Sequence, residues 1–123
     1  MAKVYFVQEP IRRNFKTGEM ERSFDIKPAL AYGEIVDCLK SDAFDKQTPA
    51  EIIEQLCAAL KDITSEDFLV FCGNPTAIAF AAIIVSDYTN GNFKVLHFLK
   101  ENGTYLPFSF DIEKHIPLKE VAA

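Results

Sequence analysis

The turn from Cys72 through Gly73, Asn74 and Pro75 to Thr76 is the feature of the sequence that most resembles a site. It follows an apolar strand pattern and opens a helical one, with Asn74 as the helix cap and Pro75 at the first helical position. Amides and the helix dipole at such a turn can hold an anion, and ligands often bind where parallel strands end. Gly73, Asn74 and Thr76 are therefore candidates for binding a small anionic ligand or a nucleotide. The turn has one glycine and no following lysine, so an ordinary strand-to-helix turn is the simpler interpretation.

Cys72 could act as a nucleophile, because the pKa of a thiol falls at the start of a helix. It would need a base, and the sequence does not bring His97 or His115 close to it. A small buried side chain at a strand end is the simpler interpretation of Cys72, and a sheet histidine that of His97. The sequence therefore predicts no catalytic residue, and a cysteine-dependent enzyme at Cys72 ranks last among the hypotheses.

No metal site or cofactor is predicted. The three cysteines, Cys38, Cys57 and Cys72, are odd in number and widely spaced, and no CxxC pair occurs. A structural zinc site needs about four ligands with close paired spacing. The carboxylates are scattered, without a DxD or HExxH arrangement. Reduced, mostly buried thiols in a cytoplasmic compartment explain the cysteines better.

Arg12, Arg13 and Lys16 form a small basic segment on a chain whose net charge is −5. These three residues are candidates for contacting an acidic partner or a phosphate, and a solvated loop is the alternative. The acidic balance disfavours nucleic-acid binding. The longest apolar run, 77–85, is shorter than the ~20 residues of a membrane span, and the N-terminus lacks the pattern of a signal peptide. We therefore expect a cytoplasmic protein without a membrane segment.

The composition favours one folded domain over residues 1–123. Hydrophobic residues make up 49% of the chain and charged residues 25%, so it can bury a sizeable core and is not disordered. Residues 113–123 are expected to form a loosely held tail.

The N-terminal half predicts strands, a basic loop and one capped helix. Lys3–Gln8 and Met20–Ile26 are predicted to pair as a hairpin across the basic loop 11–18, followed by a strand at 34–39 and a polar loop at 41–47. Thr48 and Glu51 form a capping box, with Pro49 at the first helical position. The apolar stripe of the helix that follows comprises Ile52, Ile53, Leu56, Cys57 and Leu60.

The C-terminal half predicts a β-α-β-β unit. An apolar strand at 68–72 precedes a helix at 76–88 that is apolar almost all round and should be heavily buried. Asn90 and Gly91 end that helix, and a strand at 93–100 follows. Asn102-Gly103 predicts a hairpin to a last strand, which Pro107 marks as an edge strand. On that strand the face predicted to meet solvent carries Tyr105, Pro107, Ser109 and Asp111, and the other face carries Leu106, Phe108, Phe110 and Ile112.

Together these patterns predict an α/β fold, with α+β as the alternative. We expect a single mixed sheet of about five or six strands, covered by two main helices. The helices should lie on opposite faces of the sheet or leave one face partly open. The strands joined through the second helix should be parallel, with a right-handed crossover.

Over half of the chain resembles small accessory proteins of tailed bacteriophages. The similar stretches are LVFCGNPTAIAFAAIIVSDYTNGNFKVLHFLKENGTYLPFSFDI and, upstream, FDIKPALAYG. They share an apolar strand that ends in a Gly-Asx-Pro turn, an alanine-rich helix, an Asn-Gly or Asp-Gly stop and a terminal hairpin with Tyr and Pro. The resemblance implies a phage-encoded protein that acts in the host cytoplasm. It implies no catalysis and transfers no functional residue.

The leading functional hypothesis is a non-enzymatic protein that binds a host or viral protein or a second copy of itself. Its Phe-rich strands near a Pro-bearing edge offer a surface for pairing. Ligand binding at the Gly73–Thr76 turn is the second hypothesis.

Overall fold

The computed structural model describes residues 2–22, 26–117 and 119. The strands are β1 (Lys3–Gln8), β2 (Ile11–Arg13), β3 (Met20–Arg22), β4 (Glu34–Leu39), β5 (Phe68–Val70), β6 (Asn92–Leu99) and β7 (Thr104–Asp111). The helices are α1 (Ala43–Lys46), α2 (Pro49–Leu60), α3 (Pro75–Tyr88) and α4 (Ile112–His115), with a 3-10 helix at Lys27–Ala31.

Five strands form one mixed sheet in the order β4-β1-β5-β6-β7. The first four of these strands are parallel, and β7 runs antiparallel to β6. The predicted mixed α/β sheet and its C-terminal β-α-β-β unit are therefore confirmed. Pro107 lies on β7, which is an edge strand as predicted, so its missing N–H removes no bond to an outer neighbour.

Both main helices lie on the same face of the sheet. Leu56 of α2 and Ala81 of α3 share one buried cluster with Tyr5 and Val7 of β1. The prediction of helices on opposite faces is wrong, and the alternative of a partly open face is correct. Helix α2 connects β4 to β5, and α3 connects β5 to β6. Both connections move in the same direction along the sheet, and right-handed crossovers that move in the same direction place their helices on the same face.

The 3-10 helix packs against part of the second face of the sheet. Ala29 is buried there in a second cluster with Val4, Phe6 and Leu96. The connection from β1 to β4 runs in the opposite direction along the sheet, and a right-handed crossover therefore places it on this other face.

The capping box at the start of α2 is confirmed. The Glu51 amide donates to Thr48 Oγ1 at 3.2 Å, and the Thr48 amide donates to Glu51 Oε1 at 2.9 Å. Ile52, Leu56 and Leu60 are buried, so the helix packs on one face as its period predicts.

Helix α3 is less buried than its composition predicts. Only Ala77, Ala81 and Val85 of this helix are buried, and Ile83 is 68% exposed. The alanines lie against the sheet and α2. Within the described residues no further layer packs over the outer side of α3, which explains why its apolar outer face meets solvent.

The predicted N-terminal hairpin is wrong in its pairing. β2 pairs with β3, whereas β1 pairs with β4 and β5. Arg12 and Arg13 therefore lie on a strand, and only Lys16 lies in the turn. Ser23, Phe24 and Asp25, part of the predicted strand 20–26, lie outside the described residues.

Three further differences concern polar segments. The predicted loop 41–47 contains the short helix α1. The hairpin between β6 and β7 is confirmed, with a four-residue loop, 100–103, in which Gly103 has φ +66°. The predicted tail begins with α4, and residues 118 and 120–123 lie outside the described residues.

The two faces of β7 alternate as predicted, and Pro107 and Ser109 are exposed, but the prediction is wrong at Tyr105 and for the opposite face. Tyr105 was expected in solvent and is 6% exposed, whereas Phe108 on the opposite face is 51% exposed. Tyr105 packs into the cluster beneath the 3-10 helix. The chain passes from β6 directly into β7 through a hairpin, so no helix is inserted to cover the other face at this edge.

Candidate functional site

A cleft of about 530 Å³ opens where β1 and β5 end. The chain leaves these neighbouring strands toward opposite faces of the sheet, which makes this edge a topological switch point. Open α/β sheets bind ligands in the crevice at such points. The lining includes Gln8, Glu9, Pro10, Ser41, Phe71, Cys72, Gly73, Asn74, His97 and Phe98.

Gln8 organises the floor of this cleft. Its side chain Oε1 accepts from the Asn74 amide at 2.8 Å, and its Nε2 donates to the carbonyls of Lys40 and Ser41 at 3.0 and 3.2 Å. One buried side chain thus joins the carboxyl ends of β1, β4 and β5. Sequence reasoning missed this role, and the only signal was a polar residue at the end of an apolar strand.

Gly73 is required by the close approach of Gln8. Its φ is +98°, and a Cβ at this position would lie 2.4 Å from both Cβ and Oε1 of Gln8. Glycine is the residue that reaches this conformation without steric cost. The conformation of the turn therefore depends on Gly73, because only a glycine leaves room for the Gln8 side chain that binds the Asn74 amide.

The structure brings Gly73, Asn74 and Thr76 together at the start of α3. The Asn74 amide donates to Gln8, and the Thr76 amide donates to Asn74 Oδ1 at 2.8 Å. Asn74 is thus the helix cap that the sequence predicts. Pro75 has no N–H. The amides of Asn74 and Thr76 on either side of it therefore already donate to acceptors of the protein and are not available to a ligand.

Cys72, Asn74 and His97 all line the cleft, as a cysteine-dependent site would require. However, Cys72 Sγ donates to the Gln8 carbonyl at 3.2 Å, and burial raises the pKa of this thiol to about 11. Its side chain packs with the second cluster, beside Phe98, whereas His97 projects from the other face of β6. The described geometry therefore holds a neutral thiol, and His97 lies on the far side of the sheet from it.

The basic residues lie on the β2–β3 hairpin, which we call the basic hairpin (residues 11–22). Phe15 at its tip is 97% exposed and shares a shallow surface depression with Arg12, Arg13, Lys16 and Glu21. Asn14 shapes the tip, because its Oδ1 accepts from the Lys16 amide at 2.9 Å. Sequence reasoning found the cations and missed the exposed Phe15 beside them.

Arg22 connects the basic hairpin to the sheet. Its guanidinium donates to both carboxylate oxygens of Asp37 on β4, at 3.5 and 3.3 Å. The hairpin is therefore anchored at its base on the β4 side of the sheet, while its tip reaches into solvent.

A second depression, which we call the aromatic groove, lies over the uncovered side of β6 and β7. It has a volume of about 550 Å³. Its lining comprises Phe71, Phe93, Val95, His97, Phe108, Ser109, Phe110 and His115. His115 stacks on Phe110 with ring centroids 5.3 Å apart, and His97 meets the edge of Phe108 at 6.2 Å. These contacts form a wall of rings that is open to solvent.

Within the described residues, no group of three or more His, Cys, Asp or Glu side chains is arranged to hold a metal ion. None of the helices described here has the length and apolar character needed to cross a membrane.

Comparison with known proteins places the chain in a phage family. No curated protein and no solved structure matches it. A family model described as Phage Pam3 gp32-like protein matches residues 2–112, which is nearly the whole chain, and the predicted likeness to phage proteins is confirmed. The chain belongs to the family of Phage Pam3 gp32-like proteins.

Proposed function

We propose that this phage protein is a non-enzymatic accessory protein that acts in the host cytoplasm by binding another protein. The aromatic groove carries the proposal. Contiguous exposed apolar patches on soluble proteins mark interaction sites, and Phe71 and Phe108 leave about half of their surface in water there. The described cysteines are free thiols, which is the usual state in a reducing cytoplasm.

The chemistry of the groove indicates the kind of partner. Its rings offer apolar and edge-to-face contacts, which favour an aromatic or aliphatic side chain from a protein. The adjacent strand β7 is a sheet edge, so the backbone of a partner can lie beside it. We therefore expect an apolar anchor residue to enter the groove.

Photocrosslinking tests this proposal. A photoreactive phenylalanine analogue placed at Phe108 of the full chain, expressed in the infected host, should form a crosslinked product of defined mass. The same analogue at Ile83, an exposed apolar residue on α3, is the matched control and should form much less. Equal yields at the two positions, or no product at either one, would contradict the proposal.

A second function, binding of a small anionic ligand, rests on the cleft at the switch point. Its volume lies within the range of ligand pockets, and Gly73 and Asn74 are among its lining residues. This function ranks second because the Asn74 and Thr76 amides already have acceptors within the protein. Thermal-shift measurements with inorganic phosphate and nucleotides test it. Absence of stabilisation, or stabilisation unchanged in Asn74→Ala and Thr76→Ala, would exclude this function.

A further inference from the structure

The basic hairpin and the aromatic groove have complementary chemistry within one chain. Phe15 is an aromatic side chain almost wholly in water, and the groove is an open wall of rings. At about 550 Å³ the groove lies within the range of pockets that enclose a small ligand, so it can accept one phenylalanine ring. One surface offers an anchor residue and the other offers a site for it.

The charges of the two surfaces are also complementary. Residues 11–22 contain four cations and two carboxylates, which give the hairpin a net charge of +2. Because the net charge of the whole chain is −5, the remaining residues together carry −7. Between Phe110 and His115, the stacked pair of the groove, the sequence carries two carboxylates, Asp111 and Glu113, and one cation, Lys114. The basic hairpin of one copy is therefore attracted to the acidic remainder of another copy. Salt weakens this attraction, because the Debye length at physiological ionic strength is about 8 Å.

The hairpin does not fill the groove of its own chain. Arg22 anchors the hairpin beside β4, at one edge of the sheet, and the groove lies over β6 and β7, at the other edge. β4 and β6 are three strand spacings apart, which is roughly 14 Å. Phe15 accordingly stays in solvent within a single chain.

We infer that the partner of the aromatic groove is the basic hairpin of a second copy of this chain. Phe15 enters the groove and packs against the exposed surfaces of Phe108 and His97, and the hairpin cations face the neighbouring copy, which outside its own hairpin is acidic. Two copies that exchange hairpins in this way form a closed dimer around a two-fold axis. The inference rests on the proposed function and names the protein that the groove binds.

A single tryptophan tests the contact directly, because the chain contains none. In Phe15→Trp the emission maximum should shift to shorter wavelength as the protein is concentrated from about 1 to about 200 µM, the range in which a micromolar complex forms. The shift should disappear in Phe15→Trp combined with Phe108→Ser, and should persist in combination with Ile83→Ser. Added salt should weaken it.

Sedimentation of the full chain supplies the second measurement. Phe15→Ser and Phe108→Ser should each raise the dimer dissociation constant at least about tenfold, since each removes a buried ring from the contact. Ile83→Ser should leave it unchanged. Because Phe15 contacts little of its own chain, Phe15→Ser should keep the wild-type circular dichroism, and a lost dimer would then reflect a lost contact.

Two results would overturn the inference: a wild-type monomer at the highest concentration, or a dimer that Phe15→Ser leaves intact. If the analogue at Phe108 then still crosslinks another, identifiable protein, the proposed function stands and only this partner is wrong. If it crosslinks nothing, both fail.

Discussion

Replacement of Gly73 by alanine should strongly destabilise the protein, because this glycine and Gln8 are in close contact across two strands. An alanine Cβ would lie 2.4 Å from Gln8 Oε1 and from Gln8 Cβ, and φ at this position is +98°. The left-handed backbone alone costs a non-glycine residue about 1–2 kcal/mol. The clash adds to this cost because Gln8 cannot stay where it is.

The displacement of Gln8 sets the larger part of the effect. Its side chain accepts from Asn74 and donates to Lys40 and Ser41, so a shift breaks hydrogen bonds in a buried region. An unsatisfied buried polar group costs about 1–3 kcal/mol. Together with the backbone cost, Gly73→Ala should lower the free energy of unfolding by about 2–5 kcal/mol.

Gly103→Ala is the matched control. Gly103 also has a positive φ, +66°, but no atom lies within 4 Å of a Cβ added there. This variant should therefore lose only the cost of the backbone conformation, about 1–2 kcal/mol.

Urea unfolding, followed by circular dichroism and extrapolated linearly to zero denaturant, measures both variants. Equal losses for the two glycines would refute the argument from contact with Gln8. A loss in Gly73→Ala below about 1 kcal/mol would show that the turn relaxes freely.

Three further outcomes follow from the cap of α2 and from the burial of two cysteines. Thr48→Ala removes the cap of α2 and should lower the free energy of unfolding by about 1 kcal/mol in urea melts, and an unchanged midpoint would contradict the capping box. Burial raises the pKa of Cys72 to about 11, so iodoacetamide should label it at pH 8 about a hundredfold more slowly than a free cysteine, and labelling at the free rate would contradict this assignment. Burial also raises the pKa of Cys38 to about 12, so this thiol loses its proton at a lower pH in the unfolded chain than in the folded one. The free energy of unfolding should therefore stay constant below about pH 8 and fall as the pH rises toward 11. In Cys38→Ala this fall should be less steep.

Local signals in the sequence predict the parts of the fold that depend on neighbouring residues. The capping box at Thr48 and Glu51, the Asn74 cap and the Asn-Gly stop after α3 each act within a few residues, so their chemistry is visible in the sequence. Pro107 likewise indicates an edge strand, because a missing donor is tolerated there. The parallel strands joined through α3 follow from crossover geometry.

Residues in the candidate sites were predicted only in part. The sequence indicates Asn74 as a cap and Arg12, Arg13 and Lys16 as a basic surface. It does not indicate Gln8, whose partners lie 32 to 66 residues away along the chain. It also misses Phe15, because the exposure of a phenylalanine depends on what the rest of the chain covers.

The order of residues alone was enough to predict the kind of domain, most of its strands and helices, and its likeness to phage proteins. Which apolar faces are buried could not be predicted in the same way, because it depends on how the elements pack together. Alternation along β7 divides its residues into two faces, but burial depends on the layer above each face. The 3-10 helix covers Tyr105, and no helix of the described chain covers Phe108, because the chain turns from β6 straight into β7.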